Sequence, residues 1–308
     1  MGRWSGKRVA VLYGGRSAER EVSIKTGEAC AEALRSRGLD VTLVDAGLDL
    51  DVRLRALGAE VAFVALHGRF GEDGCAQGLL ESMGIPYTGS GVLASAAGMD
   101  KVLSKLLFRE AGLALAAYRV FPPSRAASVG VADLPAGLPA VVKPACEGSS
   151  VGVHVVKEAE ALPAALADAA RYKGDVIVEE YIRGQEVNVA ILEGAALGTV
   201  EMVPSREFYD YVAKYTPGST QYFVPARLSP EATARVCRDA ETAFRALGCA
   251  GAARVDFIVA ADGTPYILEV NTLPGMTGTS LVPKIAAGKG IPFPDLCERI
   301  LDGASLKA

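Results

Sequence analysis

The chain has 308 residues and a net charge of −4, and half of its residues are hydrophobic. This length allows two or three domains, and the negative charge argues against nucleic acid as the main partner. No apolar run reaches membrane-spanning length and the N-terminus leads straight into a predicted strand, so we expect no membrane partner and no secretory signal. The six cysteines are scattered, without a Cys-x-x-Cys pair, which favours reduced thiols and a cytoplasmic location over a zinc site or disulfides.

The N-terminal part of the chain alternates between strand and helix patterns. Residues 9–13 form a continuous apolar run that is typical of a buried parallel strand, and residues 17–37 predict a helix. Two further strands are predicted over residues 41–44 and 61–66. This alternation predicts an α/β domain with a mainly parallel sheet, in which ligands bind at the carboxyl ends of the strands.

Two polar segments follow these predicted strands, at residues 16–20 and 67–73. Taken alone, Glu19 is typical of a residue that caps a helix or interacts favourably with the helix dipole, and His67 of a hydrogen-bond donor in a loop. The Gly-Gly pair after the first strand lacks the third glycine of the dinucleotide fingerprint, so we expect no NAD.

A loop of small residues marks the middle of the chain. After a helix predicted over residues 100–110, the strands 138–144 and 151–156 flank the loop 145–150. Glycine and serine there would let backbone N–H groups approach phosphate, and Lys143 stands at the loop's entrance. The loop is not a Walker A motif, because the Gly-Lys-Ser/Thr is missing and a strand follows. A simple turn is the alternative interpretation.

Beyond this loop the pattern is again strand-rich. Further strands are predicted over 176–182, 186–192 and 197–203, and helices over 230–247 and 293–301. The first of these strands carries Glu179 near its end, where it is suited to adenine binding. The aromatic segment 205–224 is predicted to be a long connection, and long ordered loops often act as lids.

Residues 254–271 predict a hairpin with an Asp-Gly turn at its centre. Counted outward from that turn, Asp256 faces Glu269 and Arg254 faces Asn271, so all four side chains lie on one face. The opposite, core-facing side is predicted to carry Val255, Phe257, Leu268 and Val270. Facing carboxylates repel unless a cation lies between them, and carboxylate and amide oxygens suit Mg²⁺. A solvated polar face is the alternative, and a bulge would undo the pairing.

Eight segments together resemble the ATP-grasp superfamily and, within it, the D-alanine–D-alanine ligases. The segments are 14–23, 66–74, 86–91, 99–101, 143–152, 208–215, 254–256 and 269–277. The resemblance runs from about residue 9 to about residue 301. It implies an α/β and α+β chain with the ATP-grasp fold: an N-terminal Rossmann-like domain, 1–98, followed by two mixed domains, 99–186 and 187–308, that clamp ATP.

The resemblance also implies the reaction and its substrate residues. ATP would phosphorylate the carboxylate of one D-alanine, and the amine of a second would attack the acyl phosphate, releasing ADP and phosphate and yielding a dipeptide for peptidoglycan synthesis. Glu19 would hold the first ammonium, and His67 is either a substrate contact or a support. Glu19, Ser149 and Tyr215 would close the lid. The residues implied for the tetrahedral intermediate and the second D-alanine are Arg254, Gly275, Ser280 and Leu281.

ATP and metal ligands follow from the same resemblance. The residues implied for ATP are Lys101, Lys143, Ser150, Glu179, Ile182, Glu186 and Lys214. Two Mg²⁺ ions, with Mn²⁺ as an alternative, would be held by Asp256, Glu269 and Asn271. A homodimer is expected from the family.

Three alternatives stay open. One is a D-alanine–D-lactate ligase, although Lys214 and Tyr215 favour the form that uses an amine and makes a dipeptide. Another is a different ATP-grasp acid–amine ligase, and the third is a nucleotide-binding regulatory protein without activity. Cys146 departs from the family, which usually has a polar or basic residue there, and we predict that thiol reagents inactivate the protein through it.

Overall fold

The chain folds into three β-sheets with helices packed on them, and a computed structural model describes residues 2–204 and 220–307. The strands are β1 (Arg8–Tyr13), β2 (Asp40–Asp45), β3 (Val61–Val64), β4 (Tyr118–Phe121), β5 (Ala140–Pro144), β6 (His154–Val156), β7 (Val176–Glu180), β8 (Gly184–Leu192), β9 (Ala195–Pro204), β10 (Thr220–Phe223), β11 (Ala252–Ala260) and β12 (Pro265–Asn271). The helices are α1 (Arg20–Ser36), α2 (Leu50–Leu57), α3 (Cys75–Met83), α4 (Val92–Met99), α5 (Lys101–Glu110), α6 (Leu162–Ala169), α7 (Pro230–Ala246), α8 (Leu281–Gly288) and α9 (Phe293–Asp302).

The first sheet is parallel, with strand order β2-β1-β3, as the alternating pattern predicted. Its central strand is buried on both faces because helices cover each side. The predicted start of α1 was three residues too early, since Ser17 forms a turn with Arg20 and donates its hydroxyl to the carbonyl of His67 at 2.6 Å. Strand β3 ends at Val64 rather than at residue 66. Both polar segments therefore meet at the carboxyl edge of this sheet, as predicted.

The second sheet is antiparallel, with strand order β4-β7-β5-β6, and helix α6 covers it. Strand β6 is shorter than predicted, because the small-residue loop continues to residue 153 before pairing begins at His154. Ser149 and Ser150 both have left-handed backbone conformations, with φ of 52° and 58°. This unusual pair turns the loop over the cleft described below rather than into a tight hairpin.

The third sheet is antiparallel, with strand order β10-β9-β8-β11-β12. Helix α7 covers one face through Val236, Ala240 and Phe244, and helices α8 and α9 belong to the core on the other. Phe108 of α5 is fully buried in the same core as α7, which ties that helix to the third sheet. The interpretation of 205–224 as a continuous connection was wrong at its end, because β10 pairs with β9 through Gln221 and Val203.

The predicted hairpin pairing is confirmed at its functional end. Asp256 lies opposite Glu269, and Arg254 lies opposite Asn271. The predicted two-residue turn was wrong, however. The Ala260 N–H donates to the Thr264 carbonyl at 2.9 Å, which leaves three residues in the loop. Such three-residue loops place their last residue in the left-handed region, where Gly263 has a φ of 79°.

A bulge restores the register that the longer turn shifts. The strands slip by one residue between Asp256 and Phe257, so Phe257 pairs with Ile267 and Leu268 is the extra residue. The core assignment of Leu268 was therefore wrong: it lines the cleft, and Ile267 is buried in its place. The prediction missed both the extra turn residue and the bulge. Each shifts the register by one residue in opposite directions, so the predicted pairs at the site agree with the structure.

The three sheets follow one another along the chain, and the domain bounds 1–98, 99–186 and 187–308 stay a prediction. Within the described ranges, no helix is both long and apolar enough to cross a membrane.

Candidate active site

A cleft of about 630 Å³ opens between the three sheets. Every predicted site residue that falls in the described part of the chain lines it: Glu19, His67, Lys101, Lys143, Ser149, Ser150, Glu179, Ile182, Glu186, Arg254, Asp256, Glu269, Asn271, Gly275, Ser280 and Leu281. Lys214 and Tyr215 lie outside the described residues. The cleft thus brings together side chains that are separated by more than two hundred positions in sequence.

One wall of the cleft joins the first sheet to the small-residue loop. The hydroxyl of Ser149 donates to the Glu19 carboxylate at 2.5 Å, although the two residues are 130 positions apart. Glu19 stands at the N-terminus of α1, but its side chain makes no capping hydrogen bond there. Its carboxylate binds Ser149 of the loop instead, so the interpretation of its side chain as a cap was wrong, although Glu19 occupies the N-cap position.

His67 is nearly buried at the same end of the cleft. Its Nε2 lies 3.0 Å from the Thr26 hydroxyl and its Nδ1 lies 3.4 Å from the Glu72 carboxylate. A proton on Nδ1 would be donated to Glu72, which leaves Nε2 to accept from Thr26. Both ring nitrogens therefore have protein partners, which supports a structural role, while the ring still lines the cleft.

The hairpin contributes two ion pairs to the cleft. Arg254 donates to both carboxylate oxygens of Asp256, each at 2.7 Å. The Lys101 ammonium lies 3.1 Å from the Glu269 carboxylate. Burial opposes the charges of Glu269, but the attraction of Lys101 and Arg254 lowers its pKa to about 2. The facing carboxylates are thus compensated by cationic side chains.

A second charge cluster lies deeper, beneath the small-residue loop. Glu179 is 3% exposed and contacts the ammonium groups of Lys105 at 2.7 Å and Lys143 at 2.9 Å. Burial would raise the pKa of Glu179, but Lys143 and Lys105 together lower it to about 2. Burial, aided by repulsion from Lys105 and Lys101, lowers the pKa of Lys143 despite the attraction of Glu179. Together with the Lys101–Glu269 pair, this cluster places three lysine ammonium groups beside two carboxylates. The local excess of positive charge is suited to a polyphosphate.

The third part of the cleft is the N-terminus of α8. Ser280 stands at the position before the helix, and its Oγ accepts the Thr277 N–H at 3.0 Å. This bond shapes the turn that carries Gly275 and leads into Leu281. The N-terminal backbone N–H groups of a helix favour a carboxylate. Gly275 is packed tightly against this turn, because an added Cβ would lie 2.9 Å from the Ser280 Oγ.

Several cleft residues were missed by sequence reasoning. Met202 and Leu268 supply apolar surface, and Asn188 supplies a buried amide. Asn188 had a usable signal, because it lies two residues after Glu186 on one strand and therefore shares its face. Lys105 does not line the cleft but pairs with Glu179 beneath it, and it also had a usable signal, because it lies four residues after Lys101 on a helix. Leu268 had none, since the bulge that exposes it cannot be read from the alternation.

The residues of the hairpin fit a hard divalent cation. Asp256, Glu269 and Asn271 present two carboxylates and an amide oxygen on neighbouring strands, a donor set that Mg²⁺ accepts. No group of three or more His, Cys, Asp and Glu side chains is close enough to hold a metal within residues 2–204 and 220–307. The cluster therefore depends on the amide of Asn271 and on ligand oxygens to complete a coordination shell.

Comparison with known proteins identifies relatives over the whole chain. The family model described as D-ala D-ala ligase C-terminus matches residues 107–302, and the model described as D-ala D-ala ligase N-terminus matches residues 47–90. A D-alanine–D-alanine ligase of Anaeromyxobacter sp. (strain Fw109-5) is 68% identical over 308 residues, with both chains covered completely. The same enzyme of Geotalea uraniireducens (strain Rf4) is 54% identical, covering 98% of this chain and 96% of its own.

Solved structures agree with these sequences. A crystal structure of D-alanine–D-alanine ligase from Bacillus anthracis is 38% identical, covers 97% of each chain and has a TM-score of 0.84. A second structure of that protein, complexed with ATP, is 36% identical, covers 96% of each chain and has a TM-score of 0.82. This likeness confirms the predicted ATP-grasp fold. The chain belongs to the D-alanine–D-alanine ligase family.

Proposed function

We propose that the protein joins two D-alanine molecules into D-alanyl-D-alanine with the hydrolysis of one ATP, as a step of peptidoglycan precursor synthesis. The observation that carries the proposal is the bond between Glu19 and Ser149, which lines the same cleft as the ion pairs of Arg254 and Lys101. A carboxylate that can hold an ammonium group and basic side chains that can hold phosphate lie in one cleft, which suits a zwitterionic amino acid beside a polyphosphate. Identity of 68% over the full length to a named ligase supports the same reaction.

The first D-alanine would bind with its ammonium at Glu19. Ser149 donates to that carboxylate and so fixes its direction, because a short hydrogen bond to a charged acceptor is strong. The carboxylate of the substrate then points toward the lysines and the γ-phosphate. Attack by a carboxylate oxygen on the γ-phosphorus forms the acyl phosphate and releases ADP.

ATP would lie along the second and third sheets. Lys101 and Lys143 would neutralise phosphate oxygens, since phosphoryl transfer depends on positioning and charge compensation. The backbone around Ser150 would cradle the phosphates. The adenosine half would lie against Ile182 and Glu186, whose side chains line the cleft.

The second D-alanine would bind at the N-terminus of α8. Its carboxylate would accept hydrogen bonds at Ser280 and Leu281, which leaves its amine directed at the acyl carbon. The tetrahedral intermediate would be stabilised by Arg254 and the Gly275 N–H, as in an oxyanion hole. Collapse of that intermediate expels phosphate and leaves the peptide bond.

Asp256, Glu269 and Asn271 would hold the divalent ions that accompany ATP, Mg²⁺ or alternatively Mn²⁺. The ions supply charge neutralisation to the phosphate oxygens when they are bound. The protein's own part is to direct the three side-chain oxygens to one face, which the register of the hairpin supports.

Closure of the cleft is also part of the proposal. Water must be excluded because an acyl phosphate hydrolyses readily, and Lys214 and Tyr215 would contribute from the lid. The homodimer and the cytoplasmic location stay predictions.

Phosphate release from ATP tests the proposal. It is measured with D-alanine, with L-alanine and with a mixture of D-alanine and D-lactate, each with and without Mg²⁺, and products are identified by mass. We expect Mg²⁺-dependent release with D-alanine alone, with the dipeptide as product. A depsipeptide as the main product of the mixture would favour the D-alanine–D-lactate ligase, and no release in any mixture would contradict the proposal.

A further inference from the structure

Asn188 carries a polar side chain that the reaction described above does not use. It lies in the middle of β8 and is fully buried, with 0% exposure. Within the described ranges, neither its Nδ2 nor its Oδ1 has a hydrogen-bond partner. A buried amide without partners destabilises a fold, so such a group in a native protein calls for a ligand or a second state that satisfies it.

The position of Asn188 connects it to the proposed cation site. Asn188 is paired directly with Asp256 of β11, and both side chains line the cleft. Directly opposed side chains on one face of an antiparallel pair have Cβ atoms about 4.5–5.5 Å apart, which is within reach of an amide and a carboxylate. On its other side β8 places Asn188 opposite the buried Val200, which offers no polar partner.

Asp256 is paired with Arg254, and not with the amide of Asn188, in this structure. Both carboxylate oxygens are directed at Arg254, at 2.7 Å each. In the proposed function both side chains have other partners: the Asp256 carboxylate binds a cation, and the Arg254 guanidinium binds the tetrahedral intermediate. When the carboxylate turns from the guanidinium, one of its oxygens becomes available to the amide of the facing strand.

We propose that Asn188 is a positioning residue for the cation bound with the nucleotide. Its Nδ2 donates to Asp256 in the cation-bound state, and its Oδ1 accepts a hydrogen bond from a water of the cation's shell. Side chains that orient a metal-ligating carboxylate in this way typically change metal affinity by about 10–100-fold when they are removed. This inference rests on the proposed function, because it assumes that Asp256 binds the cation.

The test is the affinity for Mn²⁺ in the presence of ADP, measured by electron paramagnetic resonance of the free ion. Asn188→Leu keeps the size of the side chain and removes its hydrogen-bonding groups. We expect Mn²⁺ binding to weaken about 10–100-fold, while the thermal midpoint of the ligand-free protein stays equal or rises. The midpoint should not fall, since an unsatisfied buried amide is being replaced by an apolar group.

Thr199→Val is the matched control on the neighbouring strand β9. Thr199 is also buried, with 3% exposure, but its Oγ1 accepts the Ala226 N–H at 3.1 Å. This change should lower the thermal midpoint and leave Mn²⁺ affinity unchanged, the opposite pair of effects. If the leucine variant does not fold, Asn188→Ala replaces it with the same expectation for Mn²⁺.

Two results would overturn the inference. One is an Mn²⁺ affinity of the Asn188 variant within twofold of the parent chain, and the other is a folded Asn188→Leu variant whose midpoint falls like that of the control. If the parent chain makes the dipeptide, either result refutes only the role of Asn188 and leaves the proposed function standing. A parent chain that makes no dipeptide refutes the proposed function itself.

Discussion

Replacement of Glu179 by glutamine should destabilise the protein strongly, although the two side chains have the same shape. Glu179 is 3% exposed and is the shared counter-charge of Lys105 and Lys143. Its pKa is about 2, against an ordinary value of 4.5. Since one pKa unit corresponds to about 1.4 kcal/mol, the ionised carboxylate contributes about 3 kcal/mol to the free energy of unfolding. That agrees with the roughly 3–5 kcal/mol that is lost when one partner of a buried ion pair is removed.

The sign of the pH dependence follows from the lowered pKa. The unfolded chain binds a proton at Glu179 below about pH 4.5, whereas the folded protein binds one only near pH 2. The stabilisation is therefore complete above pH 4.5 and is lost as the pH falls toward 2. At pH 3.5 we expect the difference between the parent chain and Glu179→Gln to be about 2 kcal/mol.

The assay is urea unfolding of both proteins at pH 7 and at pH 3.5. Glu60→Gln is the matched control, because Glu60 pairs with Lys7 on the surface, where ion pairs contribute little. Equal unfolding free energies of the parent chain and Glu179→Gln at pH 7 would refute the account of this cluster, and so would a difference that does not shrink at pH 3.5.

Three further changes test the site. Glu269→Gln should lower turnover at least about 100-fold, because ion-mediated charge stabilisation is worth several kcal/mol. The chain should still fold, with a lower thermal midpoint because Lys101 loses its counter-charge. Activity near that of the parent chain would refute the metal assignment. Ser149→Ala should lower kcat/KM for D-alanine about 10–100-fold, because the hydrogen bond to Glu19 is lost. Phosphate release measures the effect, and an unchanged kcat/KM would show that this bond does not contribute to the reaction. Burial raises the pKa of the Cys146 thiol, so inactivation by iodoacetamide should be slow at pH 7 and accelerate about tenfold per pH unit toward pH 9. A Cys146→Ser variant that stays equally sensitive would contradict this, and Cys75→Ser is the control that should stay sensitive.

The fold class was readable from the sequence where local patterns carry it. The apolar run of β1 and the alternation that follows it fix a parallel sheet, because a strand buried on both faces must be apolar throughout. The end of a strand is less readable. Val151 to Val153 have a strand-like pattern, yet the left-handed conformations of Ser149 and Ser150 carry them into a loop.

The hairpin shows what spacing can and cannot determine. An Asp-Gly pair indicates a turn, but not whether two or three residues lie in the loop. Asp256 and Glu269 face each other only because the bulge at Leu268 compensates the extra turn residue. Neither event is encoded in the alternation of polar and apolar residues, so the agreement at the site does not extend to the rest of the hairpin.

Partners that come from distant parts of the chain were not readable from spacing. The bond from Ser149 to Glu19 spans 130 positions, and the contact of Lys105 with Glu179 joins a helix to a strand of another sheet. The local sequence pattern does not indicate which distant segments lie close together in the folded chain. Resemblance to a family supplied the first pairing, and only the packed structure supplied the second.

The most direct test of the central claim follows an oxygen atom. D-alanine labelled with ¹⁸O in its carboxylate is incubated with ATP, Mg²⁺ and the protein, and the released phosphate is analysed by mass spectrometry. If the carboxylate attacks the γ-phosphorus and the resulting acyl phosphate is opened by the second amine, one ¹⁸O appears in phosphate for each dipeptide formed. Dipeptide accompanied by unlabelled phosphate would contradict the acyl phosphate route.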